Sequence, residues 1–421
     1  MTVAKQKTTV VAKLRNLLPG LILSAVTVVI CLLLLEAGLR IAGVKPVEAG
    51  NTGDIDLGFR NQPASTQVKS SFPEYSDGYL LMRTNNRQFF EDVDTPAHKP
   101  PGTRRIAIVG DSQTAGGCLN RESYPNRLEA LLTARDPRHP ADVLNGGVGR
   151  YSTYQSLMRA KVDMLPLEPD HIVLAVYLGN DLLDAVRTDD RPYLEEQPDG
   201  SFEKRPPVFI VFADPHSHGN WITNSRTAEL VRKAAGPTLL YSVSRFRLLL
   251  HNINAPVTQP MRVLRYMRDI RALSVIDLGF VTQVLNQHHW FLSFPETLPR
   301  ARRTHREVLR LAQEMCRQRG IRLSVLLVPA KVQIEPQFVE EALQKMQTVE
   351  LRLAVAPVQS FLDDYAASVV ADGAALGIEV IDPRQKMKEA AQGRELYYRR
   401  DMHLNVTGNQ ILAGILAEKI Q

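Results

Sequence analysis

Arg105-Ile-Ala-Ile-Val-Gly-Asp-Ser-Gln-Thr-Ala-Gly-Gly117 is the stretch on which the reading of this chain turns. Five residues, Arg105 to Val109, form a short apolar run, and small polar and glycine residues follow at once. An apolar strand that ends in such a turn puts Ser112 at the carboxyl edge of a sheet, where open α/β sheets bind their ligands. Alone, a Gly-Asp-Ser triplet also reads as a turn glycine followed by a helix-capping serine.

Outward from it, Asp142 to Asn145 and His171 to Tyr177 are further short apolar runs. The spacings predict helices over Tyr124 to Thr133 and Thr153 to Met164 between them. Strand and helix alternating at this interval imply βαβ units and a parallel sheet. Two later runs extend the scheme: Arg322 to Val328 after a helical stretch from Ala301 to Arg319, and Ile378 to Ile381 after Val358 to Leu376. An amphipathic helix over Thr407 to Ile420 closes the chain. From Arg187 to Pro299 the alternation fails, with helical segments such as Val263 to Ala272 and no strand that continues the sheet; this is read as an insertion or cap.

Upstream, Lys45 to Thr103 is polar and broken by Gly, Pro, Asn and Asp, which reads as a stalk and N-terminal extension. Leu17 to Leu35 runs nineteen residues without a charge, and apolar character continues to Val44. That length can span a bilayer. Lys5, Lys7, Lys13 and Arg15 precede it, so the expectation is a cytoplasmic N-terminus at residues 1–16 and one anchor at 17–44. A catalytic domain at 104–421 would then lie on the periplasmic side of an inner membrane. The formal charge of +6 falls to +2 without those four cations, and the body carries no dense basic stripe, so no nucleic-acid partner is expected. Of three cysteines, Cys31 lies in the apolar segment; Cys118 and Cys316 could form one disulfide but need not.

Four stretches carry a resemblance: Gly110-Asp-Ser-Gln-Thr-Ala-Gly-Gly117, Asn145-Gly-Gly-Val-Gly-Arg-Tyr-Ser-Thr-Tyr-Gln-Ser156, Tyr177-Leu-Gly-Asn-Asp181 and Asp401-Met-His-Leu-Asn-Val-Thr-Gly-Asn409. In this order they resemble the four blocks of the SGNH (GDSL-type) hydrolase family. The likeness covers Arg104 to Asp184 and Ala301 to Gln421. It implies a three-layer α/β/α fold with a five-stranded parallel, flavodoxin-like sheet, hydrolysis of acyl esters, and neither a metal nor an organic cofactor.

The chemistry needs the same residues on its own terms. A serine hydroxyl is a weak nucleophile until a base takes its proton, and His403, just before the last helix, is the candidate base. His216, His218, His288 and His289 lie in the insertion; Asp214-Pro-His-Ser-His218 could suggest a metal site but reads more simply as a solvated loop. Asp401 is the nearest carboxylate to orient His403. The commoner family spacing would put the acid at Arg400; Asp-x-His instead resembles members associated with envelope polysaccharides, including alginate O-acetyltransferases. The resemblance assigns the oxyanion hole to the amides of Ser112 and a second-block glycine and to the Asn180 side chain. Gly149 is the choice there, because Arg150 occupies the usual glycine place. Asp111 and Asp181 are read as holding loop amides. Gly-x-Ser-x-Gly of α/β-hydrolases is excluded by Thr114. Three functions follow: a serine esterase on a cell-envelope acyl ester, polysaccharide or lipid; an O-acyltransferase delivering acetyl groups to a polysaccharide; and a silent, membrane-tethered scaffold.

Overall fold

The computed structural model describes short stretches within 19–69 and then residues 80–188, 191–207, 275–344, 355–399 and 401–420. The chain divides into two compact units, one of residues 1–49 and 213–246, the other of 50–212 and 247–421. In the first unit the described residues 26–38 are helical, with Val28, Val29, Ile30 and Leu34 exposed. Among the described residues no helix is long and apolar enough to cross a membrane, and much of 17–44 lies outside them. The predicted helix at 263–272, His216 and His218 also lie outside.

The second unit is built on a parallel sheet. Its strands are preceded by two antiparallel ribbons, β1 (Asn51–Asp54) with β2 (Gly58–Asn61), and β3 (Thr66–Lys69) with β4 (Leu80–Arg83). The sheet itself consists of β5 (Arg104–Val109), β6 (Ala141–Asn145), β7 (His171–Tyr177), β10 (Arg322–Val328) and β11 (Glu379–Ile381), in the order β11-β10-β7-β5-β6. A further ribbon, β8 (Tyr193–Glu196) with β9 (Phe202–Arg205), pairs only with itself inside the predicted insertion. Strands covered on both faces must be apolar on both. Accordingly Ala107 and Val109 join one core while Ile106 and Ile108 join the other, and β7 repeats the pattern with Ile172, Leu174 and Val176 against Val173, Ala175 and Tyr177.

Helices supply the outer layers: α1 (Ser112–Ala115), α2 (Tyr124–Arg135), α3 (Thr153–Arg159), α4 (Asp181–Asp184), α5 (Val275–Ser293), α6 (Thr297–Arg317), α7 (Lys331–Ile334), α8 (Pro336–Gln344), α9 (Val355–Leu376), α10 (Arg384–Ala390) and α11 (Val406–Lys419). One core takes Tyr154 and Leu157 of α3 with Val308 and Leu309 of α6. The other takes Tyr124 and Leu128 of α2 with Leu412 and Leu416 of α11. The predicted helix over Thr153 to Met164 is α-helical only to Arg159 and widens into a π turn over Ala160–Met164. Cys118 and Cys316 are both buried free thiols.

Because β5 lies between β6 and β7, the chain leaves it in one direction for β6 and crosses to its other side for β7. The loops beyond β5 and β7 therefore flank the crevice where strand order reverses, the place at which such sheets bind ligands.

Candidate active site

Each loop at that crevice is shaped by short-range chemistry. Asp111 follows β5 and caps α1, its carboxylate accepting from the Gln113 amide at 2.9 Å. Ser112 is thereby held at the first helical position, facing the crevice. Gly147 of the second block must be glycine, because a Cβ there would stand 2.1 Å from the Ala115 nitrogen of α1. This close approach brings Gly149 over the serine: a Cβ on Gly149 would lie 3.8 Å from the Ser112 Cβ. The next residue, Arg150, has φ +74°, the left-handed region that costs a side-chain-bearing residue about 1–2 kcal/mol.

The turn keeps that conformation because the N-terminal ribbon grips it. Asn61 donates to the Gly147 carbonyl at 3.2 Å, Tyr151 donates its hydroxyl to the Phe59 carbonyl at 2.5 Å, and Gln155 donates to the Leu57 carbonyl at 2.7 Å. The Phe59 and Tyr151 rings meet edge-on at 5.3 Å, and the Arg150 guanidinium lies 5.4 Å from the Phe59 ring centre. Residues 57–61, expected as part of a stalk, pack against the second block.

Across the crevice, the loop before α11 carries the histidine. His403 Nε2 is 2.7 Å from Ser112 Oγ, and its Nδ1 hydrogen-bonds Asp401 Oδ1. The Asp401 carboxylate also accepts from the His403 amide at 2.8 Å, so acid and base form one tight turn two residues long. Burial works to raise the Asp401 pKa, but the charge and hydrogen bonds of His403 and the cation of Lys331 outweigh it and hold the carboxyl below its ordinary value. With Nδ1–H donated to Asp401, the Nε2 lone pair faces the serine hydroxyl and can take its proton. Arg400, at the commoner family position for the acid, lies outside the described residues.

Two residues that sequence reasoning passed over fix this loop. Gln113, buried, donates to the Met402 carbonyl at 2.9 Å and accepts from the Leu404 amide at 3.2 Å, clasping the backbone on both sides of His403. Lys331, fully buried just beyond β10, donates to the carbonyls of Tyr398 at 2.6 Å and Arg399 at 2.8 Å. Their signal in the sequence was position alone: Gln113 is next to the serine, and Lys331 follows the apolar run of β10 within three residues.

Asn180, at the end of β7, donates its side-chain amide to Asp184 at 3.0 Å. Asp184 is further paired with Arg187 at 2.9 Å and Arg191 at 3.0 Å. Asp181 accepts from the Tyr177 amide at 2.8 Å and from the Thr153 hydroxyl at 3.1 Å, holding loop amides as its neighbour Asp111 does. Burial pushes Asp111 up to about 6 and Asp181 well above the carboxylate range. His288 packs edge-on against Phe361 at 5.4 Å, and among the described residues no group of three or more His, Cys, Asp and Glu could hold a metal ion.

Comparison with known proteins bears on the C-terminal third. A family model described as SGNH hydrolase-like domain, acetyltransferase AlgX, matches residues 285–421, the part that contains Asp401 and His403. Similar solved structures include the acetyl xylan esterase AlAXEase, at 12% identity and TM-score 0.38, covering 75% of this chain and 100% of that one. An acetylxylan esterase from Geobacillus stearothermophilus matches at 12% identity and TM-score 0.37, covering 75% and 94%. A lipase/acylhydrolase from Enterococcus faecalis matches at 13% and 0.35, covering 75% and 95%. No curated protein matches the chain by sequence. The family match is confined to the segment that bears Asp401 and His403, and the five-stranded parallel sheet is the fold that the four ordered sequence blocks lead one to expect.

Proposed function

We propose that this chain forms an acyl-enzyme on Ser112 with an acyl ester of the cell envelope, and that water resolves it. The observation that carries the reading is the 2.7 Å approach of His403 Nε2 to Ser112 Oγ, with Asp401 on the opposite ring nitrogen. Ser112 Oγ attacks the ester carbonyl carbon as its proton passes to Nε2. The carbonyl oxygen takes up negative charge facing the amides of Ser112 and Gly149 and the side-chain amide of Asn180. Collapse breaks the bond to the leaving alcohol, which departs with the proton from Nε2, leaving the acyl group on Ser112. Water then attacks the acyl carbonyl carbon as it gives a proton to His403 Nε2, and collapse breaks the bond to Ser112 Oγ, which takes that proton back as the acid is released. Losing one donor of such an oxyanion hole costs about 10²–10³ in kcat.

A second reading shares every step except the last. A sugar hydroxyl replaces water, and the acyl group is transferred rather than hydrolysed. The match to a family model named for an acetyltransferase and the Asp-x-His spacing favour it. A third reading, a catalytically silent, membrane-tethered scaffold, would have been supported by a His403 too far from Ser112 to reach it, and the 2.7 Å contact between them supports the enzymatic readings instead. In both enzymatic readings the apolar segment 17–44 tethers the enzyme to the inner membrane with its site on the periplasmic face, as the uncharged run and the four cations before it support.

The test is turnover of p-nitrophenyl acetate by the full-length chain and by Ser112→Ala. Loss of turnover in the variant is expected; undiminished turnover overturns the proposal. Adding an oligosaccharide acceptor separates the two enzymatic readings, free acetate marking hydrolysis and an acetylated product marking transfer.

A further inference from the structure

A lysine with no exposed surface is rare unless its charge is compensated, because removing an ammonium ion from water is costly. Lys331 is such a residue, and its surroundings all belong to one neighbourhood. Its ammonium donates to the Tyr398 and Arg399 carbonyls at 2.6 and 2.8 Å, two residues from the Asp401–His403 turn, and sits 5.1 Å from the centre of the Phe338 ring. Tyr397, one residue earlier, donates its hydroxyl to the Pro329 carbonyl at 2.7 Å, stitching the same loop to the end of β10. Within the loop between α10 and α11 the backbone closes on itself, Tyr398 donating its amide to the His403 carbonyl at 3.1 Å and Asn405 to the Leu396 carbonyl at 2.9 Å, and the Lys331, Tyr397 and Gln113 bonds seat this closed turn against β10 and α1.

From this juxtaposition of a buried ammonium with the backbone that bears Asp401, we infer that Lys331 is a positioning residue for the reaction, fixing the Asp401–His403 turn against Ser112 and biasing its charge. The inference rests on Ser112 and His403 acting as proposed above. Lys331 works through the carbonyls it holds and through its field at Asp401.

The charged and titratable groups around the turn define what its removal does. Asp401, Glu335 and His403 lie closest in effect, Asp111 and Tyr177 face the turn from the ends of β5 and β7, and Glu395 and Arg399 belong to the loop itself. Lys331 lowers the proton affinity of both Asp401 and Glu335. Without its positive charge the Asp401–His403 couple holds its proton more tightly. Catalysis requires the couple to be free to accept a proton from Ser112, so the acid limb of kcat/KM moves to higher pH.

The experiment is the pH profile of kcat and KM for p-nitrophenyl acetate with the full-length chain, comparing wild type, Lys331→Met, Lys331→Gln and Lys331→Arg, with Ser112→Ala alongside and thermal melting in parallel. Lys331→Met is expected to lower kcat by about 10- to 100-fold, the scale of loss when a catalytic group is displaced by about 1 Å, with little change in KM. Its acid limb moves up by about half a pH unit or more, as expected when one nearby charge is lost. Lys331→Arg keeps the limb near the wild-type position. If Lys331→Met does not fold, the pair of Lys331→Gln and Lys331→Arg decides, since only the latter keeps the charge. Superimposable acid limbs in folded charged and uncharged variants overturn the inference, even where melting temperatures fall. Residual turnover in Ser112→Ala would instead overturn the reading on which it rests.

Discussion

The serine side and the histidine side of the crevice are held in place by different means. Ser112 sits three residues past a central strand, on a turn closed by its own neighbours: Gly110, the Asp111 cap and the first helical residues. His403 sits in a loop that follows the short edge strand β11 by about twenty residues; the loop closes through its own backbone bonds, and bonds to Gln113 and Lys331, roughly 290 and 70 residues away in sequence, tie it to the rest of the fold. A serine fixed by local structure and a histidine fixed by tertiary contacts can be disturbed separately. Changes remote from the serine should therefore reach activity chiefly through the histidine.

The largest effects test whether the two sides act as one unit. Ser112→Ala and His403→Ala should each reduce kcat by about 10⁶, and the double variant should fall no further, because each removes the same proton-coupled attack. Additive losses would show that the two residues do not share a step. Next in size is the clasp between the sides. Gln113→Leu leaves the Met402 carbonyl and the Leu404 amide without their partner, at a cost of about 1–3 kcal/mol each if they stay buried. Expected are a lower melting temperature and a kcat loss of about 10- to 100-fold at nearly constant KM. A normal kcat would mean that the histidine loop holds its place without Gln113.

Smaller effects belong to the second-block turn. Arg150→Gly removes the left-handed strain but also the contact of the guanidinium with Phe59, worth about 0.5–1 kcal/mol at an exposed site. Stability should change by about 1 kcal/mol or less and kcat by less than about twofold, since the backbone N–H of Gly149 survives the change. A tenfold rise in KM would instead place the guanidinium on the substrate.

The smallest effect concerns pH and stability. Burial raises Glu91 to about 8 and Glu129 to about 7, from an ordinary 4.5. The folded chain thus keeps protons that the unfolded chain has released. Stability from these groups is full below about 4.5 and is lost as pH rises through about 7 to 8. Buried His171 and His305, lowered to about 4 from 6.5, act in the opposite sense, but their effect is complete by 6.5. Melting temperature should therefore decline between about pH 6.5 and 8, and Glu91→Gln should flatten the decline. An equally steep decline in that variant would show that Glu91 is not its source.

Sequence reasoning reached furthest where structure is local. The βαβ order, the five apolar runs and their helices were legible because strands covered on both faces read as continuous apolar segments, and helices declare themselves by period. Ser112, Asp401 and His403 were named from order and spacing, and the fold puts His403 in hydrogen-bond contact with each of the other two. The grip of Leu57, Phe59 and Asn61 on the second block was not legible. A ribbon that works through its backbone carbonyls and one asparagine leaves no hydrophobic period, and the segment read as a stalk. Hairpin β8–β9 was missed for a related reason, since Tyr193–Glu196 and Phe202–Arg205 are short and highly charged.

By itself, the sequence determined the α/β sheet and the place of the serine on a strand end, and it named a candidate acid and base, because hydrophobic period and turn chemistry act over a few residues. Only the tertiary structure decided that His403 reaches Ser112, that Gln113 and Lys331 hold it there, and that Arg150 stands in a left-handed turn beneath Phe59. Those outcomes depend on hydrogen bonds between residues tens to hundreds of positions apart, whose partners no local pattern specifies.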